Sequence, residues 1–306
     1  MMLAFATRPS QLARRQTQAV MAALQAAWPG LECQEVPIVT QGDRVLDRPL
    51  PEIGGKGLFT QELEAELLSG RVQVAVHSLK DLPVDDPAGA PSRLAIGAVP
   101  ARADVRDVLI SAAGHTLETL PPGARLGTSS PRRAAQLLAA RPDVRIESLR
   151  GNVDTRLRKA HQGLYDAIVL AGAGLLRLGL EAQVAQWLPL ELMLPAPGQA
   201  ALAVQCRADD LETLGYLAAI DDPAARRATQ AERAFLAGLG GGCSLPVAAY
   251  AGINGENIDL QGLVSSADGR RQVRCRVSGA DPLAVGLACA RQALEQGAAG
   301  LLGHSS

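Results

Sequence analysis

Aromatic residues are scarce in this chain: two Trp, three Tyr and three Phe among 306 residues. That is too little ring surface for the stacking platforms that hold single-stranded nucleic acid. Lysine is scarcer still, since 27 of the 30 basic residues are arginine and only Lys56, Lys80 and Lys159 remain. Codon bias in a GC-rich genome is the simpler source of that ratio. The functional source is the guanidinium itself, planar, permanently charged and able to clamp a carboxylate with two parallel hydrogen bonds. Long apolar runs are missing too. The longest, residues 167–176, is closed by Asp166 and Arg177, well short of the roughly 20 residues of a membrane-spanning helix. Residues 1–7 carry no basic flank, and Arg8 ends their apolar stretch too early for a signal peptide. The expectation is a soluble, cytoplasmic protein with no membrane partner. Cys33, Cys206, Cys243, Cys275 and Cys289 form an odd set with no C-x-x-C, which points to reduced thiols and to neither a disulfide framework nor a zinc site.

What is present reads as a globular chain. The formal charge is -1, hydrophobic residues make up 47%, and 31 Gly with 19 Pro stay below the low-complexity range of about 25–30%. The length allows two or three domains. Residues 3–7 read as a buried strand, followed by Ser10 as an N-cap and an apolar-periodic helix through Leu12, Val20, Leu24 and Trp28 that Pro29 and Gly30 stop. A strand at 35–40, a helix at 60–68 and a strand at 72–77 complete one α/β half. Alternation resumes with strands at 125–128, 144–149 and 167–171 and helices at 131–140, 153–162 and 175–180; Pro131 after Ser129 and Ser130 is a regular helix start. The all-apolar strand 201–206 suits the centre of a sheet. From residue 224 a helix, three alternating strands and a terminal helix from Pro282 read as a separate α+β domain. Two α/β lobes joined by crossing segments imply a cleft for a ligand.

Three places are chemically loaded. In Val76-His77-Ser78-Leu79-Lys80-Asp81-Leu82-Pro83 a buried strand runs directly into titratable side chains, where ligands bind in α/β folds. An Asp beside a Lys stays ionised by charge attraction, which suits a group that stabilises a developing cation or carries a proton; an incidental surface ion pair is the plainer alternative. Residues 125–177 hold ten Arg or Lys against four acidic residues. Within that stretch Arg132 and Arg133 open a helix behind Thr128, Ser129 and Ser130, an arrangement that fits an anion. Arg150, Arg156 and Arg177 repeat the theme, whereas Arg141, Arg145, Arg158 and Lys159 read as solvated. Without aromatics or a groove-reading motif, a small polyanion is the expected ligand rather than nucleic acid. The third place is Gly240-Gly241-Gly242-Cys243-Ser244, a thiol on a glycine-rich turn; it can serve as nucleophile or attachment point, or be an inert buried thiol, and spacing leaves both open. Gly54-Gly55-Lys56-Gly57-Leu58-Phe59 lacks the spacing of a nucleotide-binding phosphate loop and reads as a lid carrying one positive charge.

Taken together, these segments resemble the porphobilinogen deaminase family of tetrapyrrole biosynthesis. The resemblance rests on Ala6-Thr7-Arg8, the Gly54 to Phe59 run, His77 to Pro83, Gly127-Thr128-Ser129-Ser130 with Arg132-Arg133, Ser148-Leu149-Arg150-Gly151-Asn152-Val153 with Thr155-Arg156-Leu157, and Gly241-Gly242-Cys243, in the family's order and spanning nearly the whole chain. It implies two α/β lobes like type II periplasmic binding proteins, residues 1–99 with 200–218 and residues 104–194, and a third α+β domain at 222–306. It implies a covalent dipyrromethane cofactor attached through Cys243, porphobilinogen as substrate, and a monomer. Asp81 would be the catalytic carboxylate. Arg8, Arg132, Arg133, Arg150, Arg156 and Arg177, with Lys80, Ser78, Thr128, Ser129, Ser130 and Gln199, would bind the carboxylates of cofactor and substrate. Lys56 and Phe59 would belong to the lid. The chain departs from the family pattern at Ala103, Val105, Pro131 and Ala200, the first two and the last near expected hinges. A non-catalytic two-lobed anion-binding protein would share the arginines but need neither Asp81 nor Cys243, and a nucleic-acid binder would show steep salt dependence.

Overall fold

The structure, a computed structural model, describes residues 2–44, 58, 60–84, 93–241 and 245–302. Among these the strands are β1 (Met2–Thr7), β2 (Glu32–Pro37), β3 (Val74–Ser78), β4 (Leu94–Ala98), β5 (Asp107–Ile110), β6 (Arg125–Gly127), β7 (Arg145–Glu147), β8 (Ala167–Ala171), β9 (Gln186–Trp187), β10 (Leu202–Arg207), β11 (Val247–Asn254), β12 (Asn257–Ser265) and β13 (Gln272–Gly279). The chain divides into two compact units: Met1–Ala103 with Ala200–Arg226, and Asp104–Gln199 with Arg227–Ser306.

The first unit is built on a five-stranded sheet in the order β2-β1-β3-β10-β4. β2, β1 and β3 are parallel, and β10 inserts antiparallel between β3 and β4. Side chains alternate across this sheet, as a period of two requires. Leu3, Phe5, Val74, Val76 and Val204 bury one face against Val20 and Leu24 of the helix Gln11–Ala27. Ala4, Ala6 and Ala75 bury the other against Leu63 and Leu67 of the helix Gln61–Leu68. Ser10 caps the first helix by accepting from the Ala13 N–H at 3.3 Å. The second strand begins three residues earlier than its hydropathy implies, because its pairing partner dictates the register: Met2 to Thr7 lie opposite Glu32 to Pro37.

The second unit contains a five-stranded sheet with the same plan, β7-β6-β8-β5-β9: β6 is parallel to β7 and β8, and β5 runs antiparallel between β8 and β9. Its faces are buried by Leu137 of the helix Pro131–Ala140 on one side and by Leu157, Ala160 and Leu175 on the other. The helix expected from residue 175 starts at Gly172. Trp187 lies against that residue so closely that a Cβ would come 2.4 Å from its ring, so the glycine marks a close approach inside the helix rather than a loop.

The same unit ends in the antiparallel meander β11-β12-β13, covered by the helices Pro223–Gly238 and Pro282–Glu295. Phe235, Val285 and Cys289 pack there against Ile258 and Leu260. Several contacts among the described residues bind this part to the 104–199 part, among them the following. The Ala249 N–H donates to the Pro195 carbonyl at 3.0 Å. The fully buried Glu232 accepts from Gly198 N (2.7 Å) and Ala251 N (2.9 Å). Gly269 lies against the backbone of the helix Pro131–Ala140 near Ala135 and Ala139. The expected α/β class with a C-terminal α+β part is what the sheets show. No helix of the described residues is long and apolar enough to cross a membrane.

Candidate active site

In the first unit, β3 runs into the 3-10 turn Leu79–Asp81. Leu79 and Leu82 are buried with Val99, Ala201, Ala203 and Ala225, and the Leu79 N–H donates to the Ala201 carbonyl at 3.0 Å. These two apolar anchors bracket Lys80 and Asp81 and turn them outward, Lys80 half-buried and Asp81 exposed. The ion pair expected between them does not form. Neighbours on a 3-10 turn point about 120° apart, and among the described residues no group pairs with the Asp81 carboxylate. Ser78 Oγ accepts from Gln16 Nε2 at 3.0 Å, and Thr17 Oγ1 donates to Thr7 Oγ1 at 2.9 Å, so buried polar groups of the first helix fix the ends of β1 and β3.

Arg8, at the end of β1, forms an ion pair with Asp43 through Nε and Nη2. Burial would raise the Asp43 carboxyl, but the Arg8 hydrogen bonds and charge, with Thr40, hold it below its ordinary value. Arg8 is therefore an arginine with a carboxylate already in place. His77, 6% exposed, is kept neutral: burial lowers its pKa to about 4 against a weak counter-effect from Gln205, and the Arg8 charge adds to the lowering.

In the second unit, Thr128, Ser129 and Ser130 follow β6, and Ser130 caps the helix Pro131–Ala140 by accepting from Arg133 N at 3.4 Å. Ser129 Oγ donates to the Leu149 carbonyl (2.9 Å) and accepts from its N–H (3.0 Å). Thr128 Oγ1 accepts from Ser130 N at 3.2 Å. These hydroxyls shape the turn before they can meet a ligand.

Arg132 and Arg133 turn inward rather than out to solvent, 4% and 6% exposed. Both meet Asp107, the first residue of β5 and wholly buried. Arg133 donates to its Oδ1 through Nε (3.1 Å) and Nη2 (2.8 Å), while Arg132 Nη1 lies 2.7 Å from Oδ2 and donates to the Leu194 carbonyl. Gln199 Nε2 joins the same carboxylate at 3.0 Å and the Val105 carbonyl at 2.8 Å. Burial would raise the Asp107 carboxyl, but the charges and hydrogen bonds of the two arginines hold it far below its usual range. Two guanidinium charges against one carboxylate leave one positive charge over. Arg132 Nε and Arg150 Nη1 are buried without a hydrogen-bond partner among the described residues.

Arg156 Nε donates to the Gly151 carbonyl at 2.7 Å. Arg177 is half-buried, and burial lowers its pKa to about 10. Of the four arginines and lysines expected to be solvated, Arg145 and Arg158 are exposed. Arg141 pairs instead with Asp143 at 2.7 Å, and Lys159 donates to the Arg150 carbonyl at 3.2 Å.

Cys243, Lys56 and Phe59 lie outside the described residues. Gly240 and Gly241, just before the cysteine, have φ of 89° and 67°, a left-handed pair that a residue with a Cβ resists. Among the described thiols, burial raises Cys33 and pushes Cys206 up to about 11, while Cys275 and Cys289 are buried in the C-terminal core. None of these four is a ready nucleophile.

Sequence reasoning missed Asp107 as a partner of the arginines; its one signal is an acidic residue opening an otherwise apolar strand. It also missed Gln16, Thr17 and Asp43, polar residues whose partners lie elsewhere in the chain.

The family model described as porphobilinogen deaminase, dipyromethane cofactor binding domain, matches residues 3–215, and its C-terminal domain matches residues 227–295. The porphobilinogen deaminase of Brevibacillus brevis is 50% identical over 297 residues, covering 97% of this chain and 95% of the relative. That of a Roseiflexus species is 51% identical over 302 residues, 98% of each. Among solved structures, a Bordetella pertussis BvgS VFT2 domain covers 72% of this chain and 85% of its own with a TM-score of 0.40 at 16% identity.

Proposed function

The chain belongs to the porphobilinogen deaminase family, and from that membership we propose how its own residues divide the work. The reaction is the family's: porphobilinogen is deaminated, four units are joined head to tail on a dipyrromethane primer, and water releases hydroxymethylbilane. This is a transferase of tetrapyrrole biosynthesis.

The primer and every added ring carry carboxylates, so the chain that holds them needs excess buried positive charge. The second unit supports that fit: among the described residues Asp107 neutralises only one of Arg132 and Arg133, and Arg132 Nε and Arg150 Nη1 are buried donors without an acceptor. When bound, the dipyrromethane supplies a pyrrole carbon nucleophile and a tether for the product. Cys243 holds it as a thioether. Arg8, Lys80, Arg132, Arg133, Arg150, Arg156 and Arg177 bind carboxylates. Ser78, Thr128, Ser129, Ser130 and Gln199 orient these groups by hydrogen bonds. Lys56 and Phe59 cover the substrate.

Asp81 carries the proton. Its carboxyl protonates the departing ammonia and its carboxylate then faces the cation left on the substrate, a stabilisation that needs a fixed charge close to the reacting carbon. The observation that carries this assignment is the geometry of the turn: buried Leu79 and Leu82 hold an exposed carboxylate, unpaired among the described residues, at the end of a central strand. The proposed setting is a cytoplasmic monomer.

Intact mass spectrometry tests the reading. The purified chain is expected to exceed its sequence mass by one dipyrromethane, to lose that increment in Cys243→Ser, and to show a ladder of added rings with porphobilinogen. A fully active chain of unmodified mass would overturn the reading.

A further inference from the structure

Adjacent arginines repel each other, and burying both without an anion is costly. Here a single buried acid resolves the conflict. Asp107 Oδ1 accepts from Arg133 Nε, Arg133 Nη2 and Gln199 Nε2, while Oδ2 faces Arg132 Nη1 at 2.7 Å. Its position at the start of β5, beside β8 and β9 in the sheet, gives the carboxylate a fixed backbone. Arg133 Nη1 is held by the Val169 carbonyl of β8 at 3.2 Å. Arg132 is further tied to the Leu194 carbonyl, which also accepts from Gln136 Nε2 at 3.0 Å. Each guanidinium is thus anchored at several atoms, and Arg132 Nε remains a buried donor with no acceptor among the described residues.

We propose that Asp107 is a positioning residue for substrate binding: it holds Arg132 and Arg133 in one geometry, tied through Gln199 to the 194–199 segment, with one positive charge over for a pyrrole carboxylate. This rests on the reading that these arginines bind carboxylates. The carboxylate touches no reacting atom; it acts through the arginines.

Asp107→Asn is nearly isosteric but places an amide where Oδ2 accepts charge from Arg132, so either a donor meets a donor at 2.7 Å or the amide flips and loses the Oδ1 contacts. KM for porphobilinogen is expected to rise at least tenfold, with kcat per dipyrromethane-loaded enzyme within about threefold of wild type. In an Arg132→Gln background the same change is expected to add less than threefold to KM, because the residue through which it acts is gone. A merely structural Asp107 would lower the yield of loaded enzyme and its melting temperature while the survivors kept the wild-type KM, and that outcome overturns the proposal, as does full additivity with Arg132→Gln. If Asp107→Asn fails to accumulate, Asp107→Glu keeps the charge but moves it one methylene out of the geometry that Arg132 and Arg133 share. A rise of threefold or more in KM at unchanged kcat is then expected, and an unchanged KM overturns the proposal. Wild-type enzyme without the dipyrromethane increment would instead sink the underlying reading.

Discussion

A carboxylate that must serve first as acid and then as counter-charge cannot be consumed by a neighbour, and Asp81 meets that condition because its flanking leucines, not its own oxygens, hold it in place. Asp81→Asn removes both roles while keeping shape. The expected loss in kcat is about 10²–10⁴-fold, the usual worth of a positioned acid or base, with the cofactor increment still present by intact mass. Asp81→Glu keeps the charge one methylene out of place and is expected to fall between wild type and Asp81→Asn; equal rates for the two variants would show that the charge is irrelevant. The adjacent Lys80 looks in sequence like the natural partner of Asp81. A 3-10 turn separates their directions, and adjacency along the chain does not translate into contact. Arg8 shows the converse, since its acid lies 35 residues away.

Elements place these residues through caps, registers and close approaches. The helix Pro131–Ala140 begins where Ser130 and Pro131 say it should, yet the direction of Arg132 and Arg133 depends on Asp107 of a different strand. The same helix receives Gly269, from the β12–β13 connection, on its backbone. A Cβ there would sit 2.2 Å from Ala135 O and 2.7 Å from Ala139 N, and φ at Gly269 is +74°. Neither backbone atom can swing aside as a side-chain tip would. Gly269→Ala is expected to cost about 1–3 kcal/mol, in the range of overpacked sites with added backbone strain, read as a lower urea midpoint of the second unit. Gly255, with φ +60° and open space around it, is the control: an alanine there meets only the backbone penalty and is expected to cost less.

At the scale of the whole molecule, acid tolerance is set partly by groups buried in their neutral form. His77 has its pKa lowered from 6.5 to about 4, first by burial. Its contribution to stability is fully present above pH 6.5, where folded and unfolded chains are both neutral at this site. It declines as pH falls toward 4, because the unfolded chain takes up the proton first; the full shift corresponds to about 3 kcal/mol. Urea unfolding between pH 7 and 4 is expected to show this slope in the wild type and a shallower one in His77→Gln, and parallel slopes would rule out the assignment. Much of the molecule was legible before any coordinate. The β/α alternation, the Ser10 cap, the helix start at Pro131 and the ordered motifs from Arg8 to Cys243 are local patterns, and local patterns survive in one dimension because backbone geometry and short-range hydrogen bonding impose them. The tertiary structure alone decided which charges are spent and which are left over. Asp107 meets Arg133 across 26 positions and Gln199 across 92, and β10 enters between β3 and β4 from more than a hundred residues away. Such pairings depend on burial and on sheet order, which bring distant residues within hydrogen-bond reach and which no spacing along the chain records.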